Sequence, residues 1–576
     1  MRFLLETFGY DEVQALPGNG DYDLDTVTAM LEEGAKVLVN EFLPLNALGD
    51  RAGLVFDPDT GDVTMPSGFK KAWKTFCANG LMGLHHSPEY GGSGMPYMPA
   101  VLLGEVTSAT NKSFSMCPGL SAGLYEAISH HGTEHQKATF LPKLVSGEWS
   151  GTMCLTEPQC GTDLGLVSSK ATEYEDHYKI TGTKIWITFG EHDLCDNIIH
   201  LVLARLPGAP EGIKGISCFI VPKVLDDGTR NGIKCTGLEH KMGIKASPTC
   251  VMSMEEAEGW LIGEPHRGMR TMFVMMNSAR LEVGLEGMAL SEAAYQAAVA
   301  YARDRRQSRS LDKSKRDLNA KADCILVHPD VRRMLANIKA TNEGMRALIA
   351  WTAKQSDIAH GHPDEARRNG ASDLLELLTP ILKSYCTERG FLNISEAMQV
   401  CGGAGYTQDW PVEQLMRDER IAMIYEGTNH IQALDLVGRK LPQGGGRLVR
   451  AFAGEVTKTI KAHKADERME PFLGPLKDAS KALTAVTMEL GAKGMKDPEE
   501  VAAVASNYLN IFALTALALV WARMAAKTID ERSPFEVTKL KTARYFMSNV
   551  LPEIHSLVSL VKAGKAQMMA FEDEEF

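Results

Sequence analysis

Between residues 151 and 265 the chain changes texture, and the change limits the folds open to it. "YKITGTKIWIT", "NIIHLVLARL" and "GISCFIVPKV" are short, rich in β-branched residues and separated by Gly, Pro and Asp. They read as strands of one β domain. On the N-terminal side, "LDTVTAMLEEGAKVLVNEFL" carries apolar residues at helical spacing. On the C-terminal side, "MMNSARLEVGLEGMALSEAAYQAAVAYARDR" fits one long helix. "PQGGGR", residues 442–447, reads as a hinge before a further helical stretch. The order is helices, strands, helices and a helical extension, divided as 1–150, 151–265, 266–441 and 448–576. This predicts an α+β chain, mainly α. Strands that do not alternate with helices do not build a doubly wound parallel sheet. Neither a G-x-G-x-x-G turn after a strand nor a Walker A loop is present.

The 576 residues carry a formal net charge of −12, which argues against bulk attraction to nucleic acid. Eleven cysteines lie scattered without a C-x-x-C pair, as reduced thiols do in a reducing, cytoplasmic setting. The N-terminus "MRFLLETFGYDEV" lacks the apolar core of a signal peptide. The most apolar run, "IFALTALALVWA", is too short to span a bilayer and reads as a buried helix, packed in the core or against another subunit.

Three stretches carry candidate chemistry. In "GTKIWITFG", strand alternation would put Trp186 and Thr188 on one face and Ile185 and Ile187 on the other. An indole beside a hydroxyl suits a planar heteroaromatic group; the alternative is an amphipathic strand with a buried Trp. In "CLTEPQCGTDLG", Thr156 lies near a strand end, Gly161 permits close backbone approach, and Thr162 with nearby N–H groups could hold an oxygen anion. The alternative is a structural turn. In "RIAMIYEGTNHIQALDL", Glu426 stands between an apolar run and the helix caps Thr428 and Asn429. Apolar surroundings raise a carboxylate's pKa toward that of a useful general base; the alternative is a solvated acid in a loop between helices.

"CLTEPQCGTDLG", "GTKIWITFG", "KMGIKASPT", "QVCGGAGYTQDWPVEQLMRD" and "IYEGTNHIQ" come in an order and spacing that resemble the acyl-CoA dehydrogenases, over roughly residues 25–440. The extension resembles the long members of that family, and the closest likeness is to those that act on 3-(methylthio)propanoyl-CoA. The resemblance implies an N-terminal helical domain, a middle β-barrel-like domain, a C-terminal helical bundle and extra helices. It implies FAD, held between the middle and C-terminal domains and partly by a neighbouring subunit of a homodimer or tetramer. Thr156, Gly161, Thr162, Trp186, Thr188, Arg305, Gln399, Gly403 and Thr428 match its FAD contacts. Asn277, Arg280 and Tyr425 match positions that meet substrate or steady the base loop, and Glu426 matches the base. Ala279, where other members carry their base, cannot serve.

The implied reaction removes an α-proton and a β-hydride from an acyl-CoA thioester, with electron-transfer flavoprotein as acceptor. Short- or medium-chain β-oxidation and an acyl-CoA oxidase are the near alternatives. The sequence departs from the family pattern at Cys160, Asn277, Ser308 and Gln414, and in the inserted "LDKSKRDLNAKADC". A zinc hydrolase is the remote alternative, because "HGTEH", His131 to His135, fits the H-x-x-E-H spelling. Gly132 weakens that helix and no third ligand is evident, so no metal is expected. His85-His86 and His130-His131 read as surface or packing residues.

Overall fold

The β-branched runs form the strands predicted for them. The computed structural model describes residues 1–576, which pack as two compact units. One unit comprises Ala29–Met95 and Val106–Glu282; the other comprises Met1–Thr28, Pro96–Glu105 and Val283–Phe576.

In the first unit a short hairpin, β1 (Val55–Phe56) and β2 (Val63–Thr64), interrupts a region read as wholly helical. The intervening turn is built by Asp57, whose carboxylate accepts from the Asp59 and Thr60 N–H groups. The main sheet comprises β3 (Trp149–Cys154), β4 (Lys170–Tyr174), β5 (His177–Thr188), β6 (Asn197–Arg205), β7 (Ile216–Pro222), β8 (Ile233–Leu238) and β9 (Thr249–Leu261). Antiparallel pairing runs β4–β5–β9–β7–β6, and Lys170 on β4 meets Arg205 on β6, so the sheet closes on itself. Strand β3 runs parallel to β6, and β8 pairs with β9. Strands β6 and β7 are buried along almost their whole length and therefore read as continuous apolar runs. Ile180, Val202, Phe219 and Met252 share one core, while Leu124, Ile128 and Leu141 of helices Lys112–His131 and Glu134–Ser146 share another with Ile199, Leu201 and Ile220.

The second unit is a helical bundle. The long helix Gly268–Asp304 meets helix Glu365–Cys401 at glycines on both sides. A Cβ on Gly287 would lie 2.5 Å from the Cys386 carbonyl oxygen, and one on Gly390 would lie 2.3 Å from that of Gly287. The apolar run lies in helix Pro498–Thr528, where Trp521 is fully buried and donates its indole N–H to Ala340 O at 3.1 Å. The whole helix, unlike the short run considered alone, is long and apolar enough to cross a membrane; yet 78% of its most apolar window is buried inside this chain. Packing accounts for that composition.

The glycine-rich segment is a fixed turn rather than the expected hinge. Gly444, Gly445 and Gly446 all take positive φ, which side chains resist. Arg447 forks onto Asp373 at 2.7 and 2.8 Å, while Lys440 and Gln443 both donate to Glu376. These bonds tie the extension to helix Glu365–Cys401.

Replacing a helical glycine by alanine gains up to about 1 kcal/mol of propensity, whereas overpacking costs about 1–3 kcal/mol. Gly287→Ala is therefore expected to lower the urea-unfolding free energy by about 1–2 kcal/mol. Gly370→Ala, in helix Glu365–Cys401 with nothing within 4 Å of the new methyl, should raise it.

Candidate active site

In the sheet unit, β3 ends at Cys154, two residues before Thr156, and the chain turns through an isolated bridge between Glu157 and Cys160. Glu157 holds this turn. Its carboxylate is buried and accepts from Lys184 Nζ at 2.8 Å, from the N–H and hydroxyl of both Ser168 and Ser169, and from Gln159. Lys184 is also fully buried, and its ammonium reaches Leu155 O at 3.0 Å. Burial alone would raise the Glu157 pKa; the Lys184 charge and the converging donors outweigh it and hold the carboxyl at about 2. Burial lowers that of Lys184, against the opposing pull of Glu157. The turn brings Gly161 beside Thr156: a Cβ on Gly161 would lie 3.4 Å from the Thr156 methyl. Thr162 is exposed. Cys160, a departure from the family pattern, is accommodated by burial in the core that includes Leu164 and Val167.

Strand β5 does not keep simple alternation. Lys184 pairs with Met252 and Ile187 with Cys250, so β5 carries one extra residue, a bulge. Trp186 sits in it at φ +62°, and the Ile185 N–H leaves β9 to donate to Thr156 O at 2.9 Å. This places Trp186 at 55% exposure, against the alternative of a buried indole, while Ile187 is buried and Thr188 half-buried. The expected pairing of Ile185 with Ile187 on one face does not carry through the bulge as a strict alternation.

In the helical unit, Glu426 has φ +56° and Gly427 φ +82°. A left-handed glutamate is strained, so its surroundings must hold it. Gln432 Nε2 donates to both Glu426 O and Gly427 O at 3.2 Å. Thr428 caps helix Asn429–Asp435. Asn429 is fastened to helix Glu365–Cys401, accepting from Lys383 and Thr387 and donating to Ser384 O. The Tyr425 hydroxyl donates to Glu286 at 2.5 Å. Burial, reinforced by Glu286, raises the Tyr425 pKa well above its ordinary value, so the phenol stays protonated as the donor. Glu426 itself is half-buried.

The other predicted residues separate between the units. Asn277 is exposed and Arg280 buried, on the part of the long helix that belongs to the sheet unit. Arg305 follows that helix and is exposed, as are Gln399 and Gly403 around the end of helix Glu365–Cys401. Ser308 takes φ +60°. The insertion beside it closes on Asp323, whose carboxylate accepts from the Ser310 and Asp317 N–H groups at 2.7 Å. Gln414 donates to Asp418 at 3.2 Å. His131 ends one helix and Thr133 caps the next, so His131 and His135 do not form the single helical face of a zinc peptidase.

The sheet-unit residues fit a planar ring: an exposed indole is fixed by a bulge, with the Thr156 turn tied to the same bulge. Glu157, Lys184 and Glu286 were not singled out from sequence. Glu157 lies inside a motif already marked and could have been; Glu286 carried no local signal. Glu157→Gln would leave the buried Lys184 charge uncompensated, and breaking such a pair costs about 3–5 kcal/mol. Because the folded Glu157 pKa is depressed from 4.5 to about 2, its contribution is present above pH 4.5 and is lost as pH falls toward 2. The stability gap between wild type and Glu157→Gln, measured by denaturant melts, should therefore narrow over that window.

Domain models match almost the whole chain: "Acyl-CoA dehydrogenase, N-terminal domain" at 57–148, "middle domain" at 152–257, "C-terminal domain" at 266–441, and "Acetyl-CoA dehydrogenase C-terminal like" at 452–572. The 3-methylmercaptopropionyl-CoA dehydrogenase of Ruegeria pomeroyi is 42% identical over 94% of this chain and 93% of its own. A butyryl-CoA dehydrogenase of Syntrophomonas wolfei is 34% identical, covering 96% and 94%. Among solved structures, Caenorhabditis elegans ACDH-11 in complex with C11-CoA superposes with a TM-score of 0.81 at 18% identity, covering 98% of this chain and 94% of that one. An acyl-CoA dehydrogenase of Bacillus anthracis complexed with FAD gives 0.77 at 22%, covering 98% and 91%. The chain belongs to the acyl-CoA dehydrogenase family and is an FAD-dependent oxidoreductase of acyl-CoA thioesters.

Proposed function

We propose that this enzyme dehydrogenates short acyl-CoA thioesters, with 3-(methylthio)propanoyl-CoA as its substrate, and that Glu426 is the base. The observation that carries the assignment of the base is a strained carboxylate-bearing loop held from several directions, by Tyr425–Glu286, by Gln432 and by Asn429. Holding a base in one place lowers the cost of bringing it to a carbon acid. FAD, when bound, supplies the two-electron acceptor for the hydrogen leaving Cβ. The chain's own part is the proton: Glu426 removes it from Cα, and with the hydride also lost from Cβ a trans-2-enoyl thioester remains. Thr156, Gly161, Thr162, Trp186, Thr188, Arg305, Gln399, Gly403 and Thr428 are assigned to FAD, and Asn277, Arg280 and Tyr425 to substrate. Trp186 supports this assignment as an exposed indole on a rigid bulge.

The substrate assignment rests on likeness to the Ruegeria enzyme. A thioether sulfur is close to a methylene in size and polarity, so pentanoyl-CoA is the isosteric competitor, and butanoyl-CoA, one methylene shorter, is a second, as the likeness to a butyryl-CoA dehydrogenase also suggests. Electron-transfer flavoprotein is the proposed acceptor, and its reduction compared with oxygen consumption separates this reading from an oxidase. A homodimer or tetramer would cover exposed apolar side chains such as Tyr406 and Leu318. All eleven cysteines are free, in keeping with a reducing, cytoplasmic compartment.

Glu426→Gln is expected to retain flavin absorbance and to lose kcat by about 10²–10⁴-fold, the range of general-base catalysis. In a substrate panel ranked by kcat/KM, 3-(methylthio)propanoyl-CoA should lead. Pentanoyl-CoA, its isostere, should follow most closely, and butanoyl-CoA within about 10–200-fold, the discrimination available from one methylene. A wide preference for octanoyl-CoA would overturn the substrate assignment.

A further inference from the structure

His85 and His86 lie in the turn just before "PEYGG", and Glu126 lies on helix Lys112–His131. All three belong to the sheet unit. One donor atom from each lies within 4.8 Å of the other two. His86 is 2% exposed and stacks on Tyr125 with ring centroids 3.8 Å apart. Its Nδ1 is buried without a hydrogen-bond partner and faces Glu126 Oε1 at 3.9 Å. Buried polar atoms are nearly always bonded, so this nitrogen calls for an occupant. The scaffold around it is fixed: Ser87 N–H donates to the Tyr125 hydroxyl at 3.1 Å, and His130 Nδ1 bonds Glu126 O at 2.9 Å from the next helical turn.

We propose that His85, His86 and Glu126 form a site for one Zn²⁺ ion. Two imidazoles and one carboxylate, with a fourth position left to solvent, are a donor set that zinc takes. Metal binding requires neutral imidazoles. Burial lowers the pKa of both histidines, for His85 against the pull of Glu126 and for His86 with added repulsion from His85. Tetrahedral coordination with bonds of about 2.0–2.1 Å places donors about 3.4 Å apart, so the three must close by roughly 1 Å. His85 and Glu126 are half-buried, while His86 is held by its stacking. The ion would join the turn ahead of "PEYGG" to the helix. It owes nothing to the H-x-x-E-H spelling, whose His135 lies on the following helix.

The test is titration of Zn²⁺ alone into the FAD-loaded enzyme against a chromophoric chelator, with Co²⁺ absorption as an independent view of the ligands. Wild type should bind one equivalent per chain and show a zinc-dependent rise in Tm. Glu126→Gln, which preserves shape, and His86→Ala should each weaken binding at least tenfold and abolish the rise. His135→Ala should bind as wild type does. Absence of a saturable equivalent, retention of affinity in Glu126→Gln with a normal melting profile, or loss of binding in His135→Ala would each overturn the proposal.

Discussion

The buried contact between Glu157 and Lys184 organises the surface on which the candidate flavin residues stand. Lys184 belongs to β5, two residues before Trp186, and Glu157 follows Thr156 directly. Joining them draws the β3–β4 loop onto the bulge of β5, and the Ile185–Thr156 backbone bond completes the junction. A buried ion pair contributes little net stability once its desolvation is counted. What this one supplies is position, because the two serines, Gln159 and Lys184 all converge on a single carboxylate.

The helical unit solves a parallel problem with different chemistry. Glu426 stands at positive φ, and the loop is held through its neighbours. Tyr425 is fastened to Glu286, Asn429 to helix Glu365–Cys401, and the loop carbonyls to Gln432. Glycine contacts that let the long helix lie close against helix Glu365–Cys401 keep those anchors near one another. Strain in this loop is thus met by hydrogen bonds from the residues on either side of Glu426.

The motifs gave Trp186 and Thr156 as candidates, but not the bulge that joins them. A bulge depends on the register of two strands that are far apart in sequence, here Lys184 with Met252 and Ile187 with Cys250. The same limit hid Glu286: it reads as one more polar residue on a long helix until Tyr425 meets it. It also hid the cluster of His85, His86 and Glu126, whose paired histidines read as surface or packing residues, whereas "HGTEH" drew notice by its spelling and is divided by a helix cap. The glycine run at 442–447 read as flexible because glycine is permissive; the side chains of Lys440, Gln443 and Arg447 use that permissiveness to make a fixed turn.

By itself, the sequence determined the order of helical and β segments and, through the likeness of its short motifs to a family, the reaction class, and it marked Glu426 as the candidate base. Those follow from local periodicity and short motifs, which need no knowledge of distant partners. Tertiary structure alone decided which strand bends, which glutamate is a structural hub, which tyrosine is tethered and which histidine nitrogen is left facing a carboxylate. Each of these is a contact between residues remote along the chain, and burial gives it its strength by removing the water that would otherwise compete.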